Sequence, residues 1–431
     1  MKVLVVGSGA REHAIAWKIG QSPKLTELHA APGNAGIGQF ATCHDANPND
    51  VDAIAALAQE IGADLVVIGP EGPLVGGLSN RLKKHGIPCL GPSAAAARIE
   101  GSKVFAKELM DRAQVPTARW EAFSDVQAAL AAINRWRGPV VIKADGLTSG
   151  RGAYVCMTKV QAERALNQLL VESSFGVAGR RVVVEEFLQG TEASVAVLTD
   201  GETVLSLPVV CSEKRRDNSN GGANTDGMGA WLPVEDLYEY QIEEAIEAGI
   251  KPALEDMRNR GISYVGVLYA DVLFTRTGPK VLEYNCRFGE TEVQSLTRVM
   301  DNDLLDVLHK TAIGELAGTE LEFSDEAAVT ISLVGPSYPA KFLEEKPVNI
   351  AGINDAAEID GVEIFVDAGT ELTGKGDAIG LAATGGRVVT VSAVGDDLED
   401  AIAAANEAAS RISFEGMHRR TDIGAVVTSV V

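Results

Sequence analysis

Glu283 and Asn285 lie in the stretch Val281-Leu282-Glu283-Tyr284-Asn285-Cys286-Arg287-Phe288-Gly289. Apolar Val, Leu and Tyr alternating with Glu and Asn predict a strand with one apolar and one polar face. Residues two apart on a strand point the same way, so Glu283 and Asn285 share a face. A carboxylate beside an amide oxygen is a pair of hard ligands, suited to Mg²⁺. Arg287 continues that face and offers a guanidinium for bidentate anion capture. Together these residues point to phosphoryl transfer from a nucleotide; the plain alternative is a solvated strand face. The preceding strand, Val265 to Phe274, carries Asp271. Hairpin pairing would set its carboxylate beside that of Glu283 as a third metal ligand.

Matching parts lie upstream. Pro139 to Val155 reads as strand, glycine-rich turn, strand, with Lys143 before the turn and Gly146, Gly150, Arg151 and Gly152 within it. Such a loop can close its N–H groups over phosphates, with Lys143 and Arg151 adding charge. An ordinary flexible hairpin is the alternative. Arg181 to Glu192 runs from a strand into Glu185, Glu186, Phe187 and Leu188, then a Gly turn and Glu192. It fits an adenine hinge: backbone groups pair with the base, Phe187 or Leu188 packs near it, and an acid takes the ribose hydroxyls. Glu213-Lys214-Arg215-Arg216 precedes a polar loop from Asn218 to Gly229 that contains Asp226. In an acidic chain this cationic patch is a candidate anion site.

These groups need positioning elements. Lys2 to Val6 reads as a buried strand that ends at Gly7-Ser8-Gly9-Ala10-Arg11-Glu12-His13. A glycine turn opening a helix is an anion site. Glu12 stands where a dinucleotide fingerprint needs its third Gly, which argues against NAD. Strands at Thr26 to Ala30, Leu65 to Ile68 and Ile87 to Leu90 each end in a Gly/Pro loop, among them Pro32-Gly33-Asn34-Ala35-Gly36. Helical stretches such as Val51 to Ile61 alternate with them. The expected fold class is α/β, with an N-terminal doubly wound parallel sheet whose loops gather at the strand C-terminal ends. A helix from Ser102 to Arg112 leads onward, and another from Gln241 to Asn259 precedes the metal strand. After Phe323 the pattern changes to an α+β module with strands at 328–334, 364–366 and a glycine-started 385–391, and a helix over 398–412.

The bulk numbers agree. A chain of 431 residues holds two to four domains. The five cysteines are scattered without a C-x-x-C pair, which fits reduced thiols in a cytoplasmic protein. Met1 to Val6 is too short for a signal peptide core, and no run is long and apolar enough for a membrane span. The net charge of −22 disfavours nucleic-acid and anionic-lipid partners. Small-molecule substrates remain, and anionic ones need local positive charge.

Taken together, the chain resembles the glycinamide ribonucleotide synthetase (phosphoribosylamine–glycine ligase) family of the ATP-grasp superfamily. The resemblance runs end to end. It rests on the Gly-x-Gly-x-Arg11-Glu12-His13 turn, Pro32-Gly33-Asn34-Ala35-Gly36, Gly69-Pro70-Glu71 and Gly101-Ser102-Lys103-x-Phe105-Ala106-Lys107. It continues in Lys143-Ala144-Asp145-Gly146-Leu147, Glu185-Glu186-Phe187-Leu188, Asn285-Cys286-Arg287-Phe288-Gly289, Gly385-Gly386-Arg387-Val388 and Asp422-Ile423-Gly424. It implies an N-terminal substrate domain (1–102), an ATP-grasp domain (103–325) with a mobile lid near 120–190, and a C-terminal α+β domain (326–431). It implies an amide ligase of purine biosynthesis that uses ATP and Mg²⁺ (or Mn²⁺) and an acyl-phosphate intermediate. Lys103 and Lys143 would touch ATP phosphates, Glu192 the ribose, and Glu283 and Asn285 the metal. Arg287 and Lys214 would act on the transferring phosphoryl group. Gly9 and Arg11, with Gly33 and Asn34, would lie near a ribose 5-phosphate, and Asp226 and Gly289 near the carboxylate substrate and the amine.

The sequence also departs from the family pattern. Ser212-Glu213 stands where Asp-His is usual, Asp226 and Asp271 where Gly is usual, and Arg151 where Lys is usual. Ala223 replaces a Pro, Glu290-Thr291-Glu292-Val293 an Asp-Pro-Glu-Thr, Pro336-Ser337 a Gly-Gly, and Asp367 a His. Several of these changes fall on the expected substrate face. Two enzyme readings stay open: the family's glycine ligase, or a paralogue with another carboxylate or amine. A non-catalytic nucleotide-binding protein is a third.

Overall fold

The computed structural model describes residues 1–340, 346–374 and 380–425. Five parallel strands build the N-terminal sheet: β1 (Lys2–Gly7), β2 (Glu27–Pro32), β3 (Thr42–Cys43), β4 (Leu65–Ile68) and β5 (Cys89–Leu90), in spatial order β3-β2-β1-β4-β5. Val3 to Val6 are fully buried, because helices cover both faces of a parallel sheet and leave its central strand no solvent side. The doubly wound sheet expected from the sequence is present.

The next strands are β6 (Trp120–Phe123), β7 (Val140–Ala144), β8 (Ala153–Cys156) and β9 (Val182–Glu186), which form an antiparallel sheet in the order β6-β9-β7-β8. They are followed by β10 (Thr191–Thr199), β11 (Val204–Ser206), β12 (Cys211–Asp217), β13 (Gly221–Leu232), β14 (Gly266–Thr275) and β15 (Gly278–Asn285). Strands β11-β10-β14-β15 make a second antiparallel sheet. These two sheets face the cleft described below. The helix expected over 241–259 is broken into helical pieces Glu239–Ala245 and Lys251–Asn259 around a π-helical turn, Ile246–Ile250.

The segment expected as a polar loop, 218–229, is instead largely strand β13, antiparallel to β12. Its glycines and polar side chains hid a pleated half-buried ribbon whose far end, Met228 to Leu232, is buried. The C-terminal strands are β16 (Ala327–Val334), β17 (Val348–Asn349), β18 (Val362–Val366), β19 (Thr370–Thr373), β20 (Gly380–Ala383) and β21 (Arg387–Gly395). The C-terminal module does not have a main sheet of its own. Strand β13 pairs with β16, so the sheet order is β12-β13-β16-β21-β18 and crosses the break at residue 325. The helix Leu398–Arg411 packs on it.

Candidate active site

Asp145 brings two lysines together. Its carboxylate accepts from Ser102 Oγ at 2.7 Å and from Val104 N at 2.9 Å, and its carbonyl accepts from Lys103 N at 2.8 Å. The helix Lys103–Ala113 thus starts against the end of β7, with Ser102 as its cap. Lys103 from the helix and Lys143 from β7 both open into one cleft. Lys143 Nζ donates to Leu282 O at 3.1 Å and lies 3.1 Å from Glu185. Lys107, 3.2 Å away on the other oxygen of Glu185, completes a buried Lys–Glu–Lys row. Burial pulls the Lys143 ammonium down, but Glu185 and Glu283 outweigh it and hold the pKa above its ordinary value.

Across the cleft, β14 and β15 pair in the expected register, with Asp271 opposite Glu283 and Tyr269 opposite Asn285. Glu283 meets Lys103 at 2.7 Å. Burial pushes its carboxyl up, but Lys103, Lys143 and Lys214 prevail and keep it well below the usual carboxylate range. Asp271 behaves differently. It lies 2.6 Å from Lys214 and accepts from Tyr269 Oη at 2.9 Å. Burial, with Glu192 and Glu283 adding, raises it to about 7 against the pull of Lys214. Both Asp271 oxygens are engaged, one as counter-ion of Lys214 and the other by Tyr269. Glu283 and Asn285 line the cleft as hard oxygen donors two residues apart, a set that fits Mg²⁺.

Lys214 lies on β12 and also reaches Glu192 at 2.9 Å. Arg287 lies just beyond β15, held by Glu100 at 3.2 Å and Glu71 at 3.5 Å. Both acids come from the N-terminal region, and neither was marked as a partner by the sequence pattern around Arg287. The lid loop closes the cleft: Gly146, Gly150 and Gly152 line it. Asn224 Nδ2 donates to Gly150 O at 2.7 Å, docking the loop on β13. Arg151 lies on that loop, its Nε bonded to Thr148 O. Glu185 is buried between its lysines. Glu186, Phe187 and Leu188 follow at the end of β9, where Glu186 N bonds Arg119 O and Phe187 N bonds Pro139 O.

The N-terminal loop departs from expectation. Gly9 N donates to Glu12 Oε2 at 2.6 Å, and Arg11 Nε donates to Glu12 Oε1 at 2.7 Å. A Cβ at Gly7 would lie 2.6 Å from the Glu12 carboxyl carbon, so glycine there makes room for a built-in anion. Asn34 was expected at the ligand. Its Nδ2 donates to Ser8 O and Val366 O, and its Oδ1 accepts from Gly36 N and Ile37 N. With both ends of its amide used, Asn34 pins the loop. Gly33 has φ 73°, and a Cβ there would meet Cys43 Sγ at 2.5 Å. Asp226 and Gly289 do line the cleft, with Glu290 and Glu292 beside them. Arg387 from β21 meets Asp226 at 3.3 Å, Glu290 at 3.5 Å and Asp367 at 3.1 Å. That guanidinium joins three segments far apart in sequence, which no local motif could have revealed.

The chain matches family models along nearly all its length. These are the phosphoribosylglycinamide synthetase N domain over residues 1–100, its ATP-grasp (A) domain over 101–293 and its C domain over 328–426. A curated phosphoribosylamine–glycine ligase from Mesorhizobium japonicum is 44% identical over 98% of both chains. One from Rhizobium meliloti is 42% identical with the same coverage. The crystal structure of a phosphoribosylamine–glycine ligase from Thermotoga maritima superposes with a TM-score of 0.82 at 29% identity, over 98% of this chain and 100% of that one. A biotin carboxylase from Campylobacter jejuni shares the fold, with a TM-score of 0.72 at 19% identity over 98% of this chain and 94% of that one. With a cleft built from this sequence's own lysines and acids, and these matches spanning it, the chain belongs to the phosphoribosylglycinamide synthetase family, with an ATP-grasp fold.

Proposed function

We propose that the protein joins glycine to 5-phosphoribosylamine at the expense of ATP, making glycinamide ribonucleotide. The carrying observation is the convergence of Lys103, Lys143, Lys214 and Arg287 with Glu283 and Asn285 in one cleft under a glycine loop. A carboxylate does not react with an amine at neutral pH, so it must first gain a leaving group. One glycine carboxylate oxygen attacks the γ-phosphorus, an O–P bond forms, and ADP leaves. The amine nitrogen then attacks the acyl carbon. Phosphate departs with the C–O electron pair, and the nitrogen gives up a proton.

In this reading Lys103 and Lys143, brought together by Asp145, grip phosphate oxygens. Arg287 and Lys214 offset the charge of the transferring phosphoryl group. The backbone from Glu186 to Leu188 receives adenine and Glu192 the ribose, while Gly146, Gly150, Arg151 and Gly152 cover the phosphates. Glu283 and Asn285 would hold Mg²⁺ or Mn²⁺, which when bound supplies further charge neutralisation between phosphates. Arg11 and the Gly9 turn face the phosphosugar, with Glu12 setting the loop. Asp226 and Gly289 bound the carboxylate end. The setting is purine biosynthesis in the cytoplasm, with small molecules as the only partners required. Among the described residues no helix is long and apolar enough to cross a membrane.

The test is ADP release and product mass across a panel of small amino acids and carboxylates, each with and without phosphoribosylamine. Release that requires both glycine and phosphoribosylamine is the expected result. A strong response to another carboxylate with silence toward glycine would favour a paralogue. Silence throughout, with tight ATP binding, would favour a non-catalytic nucleotide-binding protein.

A further inference from the structure

We propose that Glu292 is the receptor for the cationic amine of the carboxylate substrate, making it a specificity-determining residue. The proposal rests on the ligase reading above and names how that site chooses its carboxylate.

Glu292 opens the helix Glu292–Val299 and is 3% exposed. Its Oε1 is anchored, accepting from Tyr269 Oη at 2.9 Å and Ser194 Oγ at 3.4 Å. Its Oε2 is buried and has no hydrogen-bond partner among the described residues. The same side chain lines the cleft that holds the lysines. Gly289 leaves it room: a Cβ there would lie 2.6 Å from Oε2. A buried carboxylate oxygen without a donor costs roughly 1–3 kcal/mol or more. An anchored side chain that carries this cost inside a cleft is poised for a donor that arrives with the ligand.

The surroundings say which donor. Arg287 is already matched by Glu71 and Glu100, and Arg387 by Asp226, Glu290 and Asp367. This wall therefore carries acids in excess and favours a cation. A divalent ion would need several acidic ligands, and among the described residues no group of three His, Cys, Asp or Glu is placed to hold one. An ammonium needs less. An α-amino acid carries its ammonium one carbon from the carboxylate, so both ends fit one cleft, with the carboxylate toward the lysines and the ammonium toward Glu292. A second acidic group on the substrate would meet the carboxylate of Asp226 and be rejected.

The experiment compares the wild type with Glu292→Gln and Glu292→Asp. It uses ATP, Mg²⁺ and phosphoribosylamine, with glycine, alanine, glycolate or acetate as the variable carboxylate. A charge-assisted hydrogen bond of this kind predicts a KM for the amino acid raised on the order of 10- to 100-fold in Glu292→Gln. The KM for ATP should stay within about twofold, and Glu292→Asp should recover part of the loss. The preference for glycine over glycolate should narrow by the same factor. An unchanged glycine KM in Glu292→Gln would overturn the proposal, as would a wild type that prefers glycolate or acetate. A shifted Mg²⁺ requirement without a shifted amino-acid KM would overturn it in favour of a metal ligand. If the wild type uses alanine and not glycine, the glycine reading falls. The Glu292 proposal then stands or falls on the alanine KM.

Discussion

Asp271 and Glu283 face each other across the β14–β15 hairpin, yet each carboxylate is held by a different lysine. Lys214 lies 2.6 Å from Asp271, and Lys103 lies 2.7 Å from Glu283. Their lysines come from β12 and from the helix Lys103–Ala113, which have no sequence relation. Two acids in adjacent register thereby acquire opposite characters. Glu283 stays ionised far below the usual range, while burial carries Asp271 up to about 7.

That contrast predicts unequal substitutions. Glu283→Gln should lower kcat by at least about 100-fold, since removing one transition-state electrostatic group costs on that order. Its far-UV circular dichroism should match the wild type, because Glu283 is a half-open cleft residue and not core. Asp271→Asn should keep measurable turnover and raise the KM for ATP, because Lys214 retains Glu192 as a partner. Steady-state ADP release over a Mg²⁺ titration checks both. Equal losses in the two variants would place Asp271 with Glu283 in the metal set.

Much of this was legible in sequence, for physical reasons. Glu283 and Asn285 share the cleft as their spacing predicts, although a bulge at Leu282 breaks strict alternation along β15. The parallel sheet announced itself through apolar runs ending in glycine turns. The β12–β13 hairpin did not. Its polar, glycine-rich strands carry the signature of a loop; they are held as strands by an irregular, bulged pairing with each other, and β16 adds its ladder at Gly229 to Leu232. The pinning role of Asn34 was hidden for a related cause: it depends on Val366, more than three hundred residues away. The Arg387 collar, and the roles of Glu71, Glu100 and Glu292, depend on tertiary contacts that leave no local period.

The lid offers a second prediction. Gly150 has φ 71°, and a Cβ there would stand 2.8 Å from the carbonyl oxygen of Thr225. Gly150→Ala should therefore incur both backbone strain and a clash, weakening lid docking by about 1–2 kcal/mol. Trypsin cleavage near Arg151 should be slow in the wild type with ATP and Mg²⁺, faster without them, and fast in the variant under both conditions. Cleavage that ignores nucleotide in the wild type would count against a phosphate-covering loop.

The last prediction concerns Glu290, which shares Arg387 with Asp226 and Asp367 and whose Oε1 accepts from Gln294 Nε2 at 2.7 Å. Burial, with Asp367 and Glu12 adding, holds its carboxyl up at about 7, against the pull of Arg387 and Arg11. An unfolded glutamate titrates near about 4.3. The folded state therefore keeps this proton through a window where the unfolded state has released it. Stability from this group is greatest below about pH 4, and it is lost as pH rises toward 7, on the order of 1–3 kcal/mol. Depressed carboxyls such as Glu283 work in the opposite sense, so the wild-type curve alone does not isolate Glu290. Glu290→Gln does, because it removes the titration while keeping a polar group of the same size beside Gln294. Urea midpoints at pH 5 and pH 8 should show the variant gaining on the wild type at the higher pH. Parallel shifts at both pH values would mean that the Arg387 collar holds Glu290 ionised throughout.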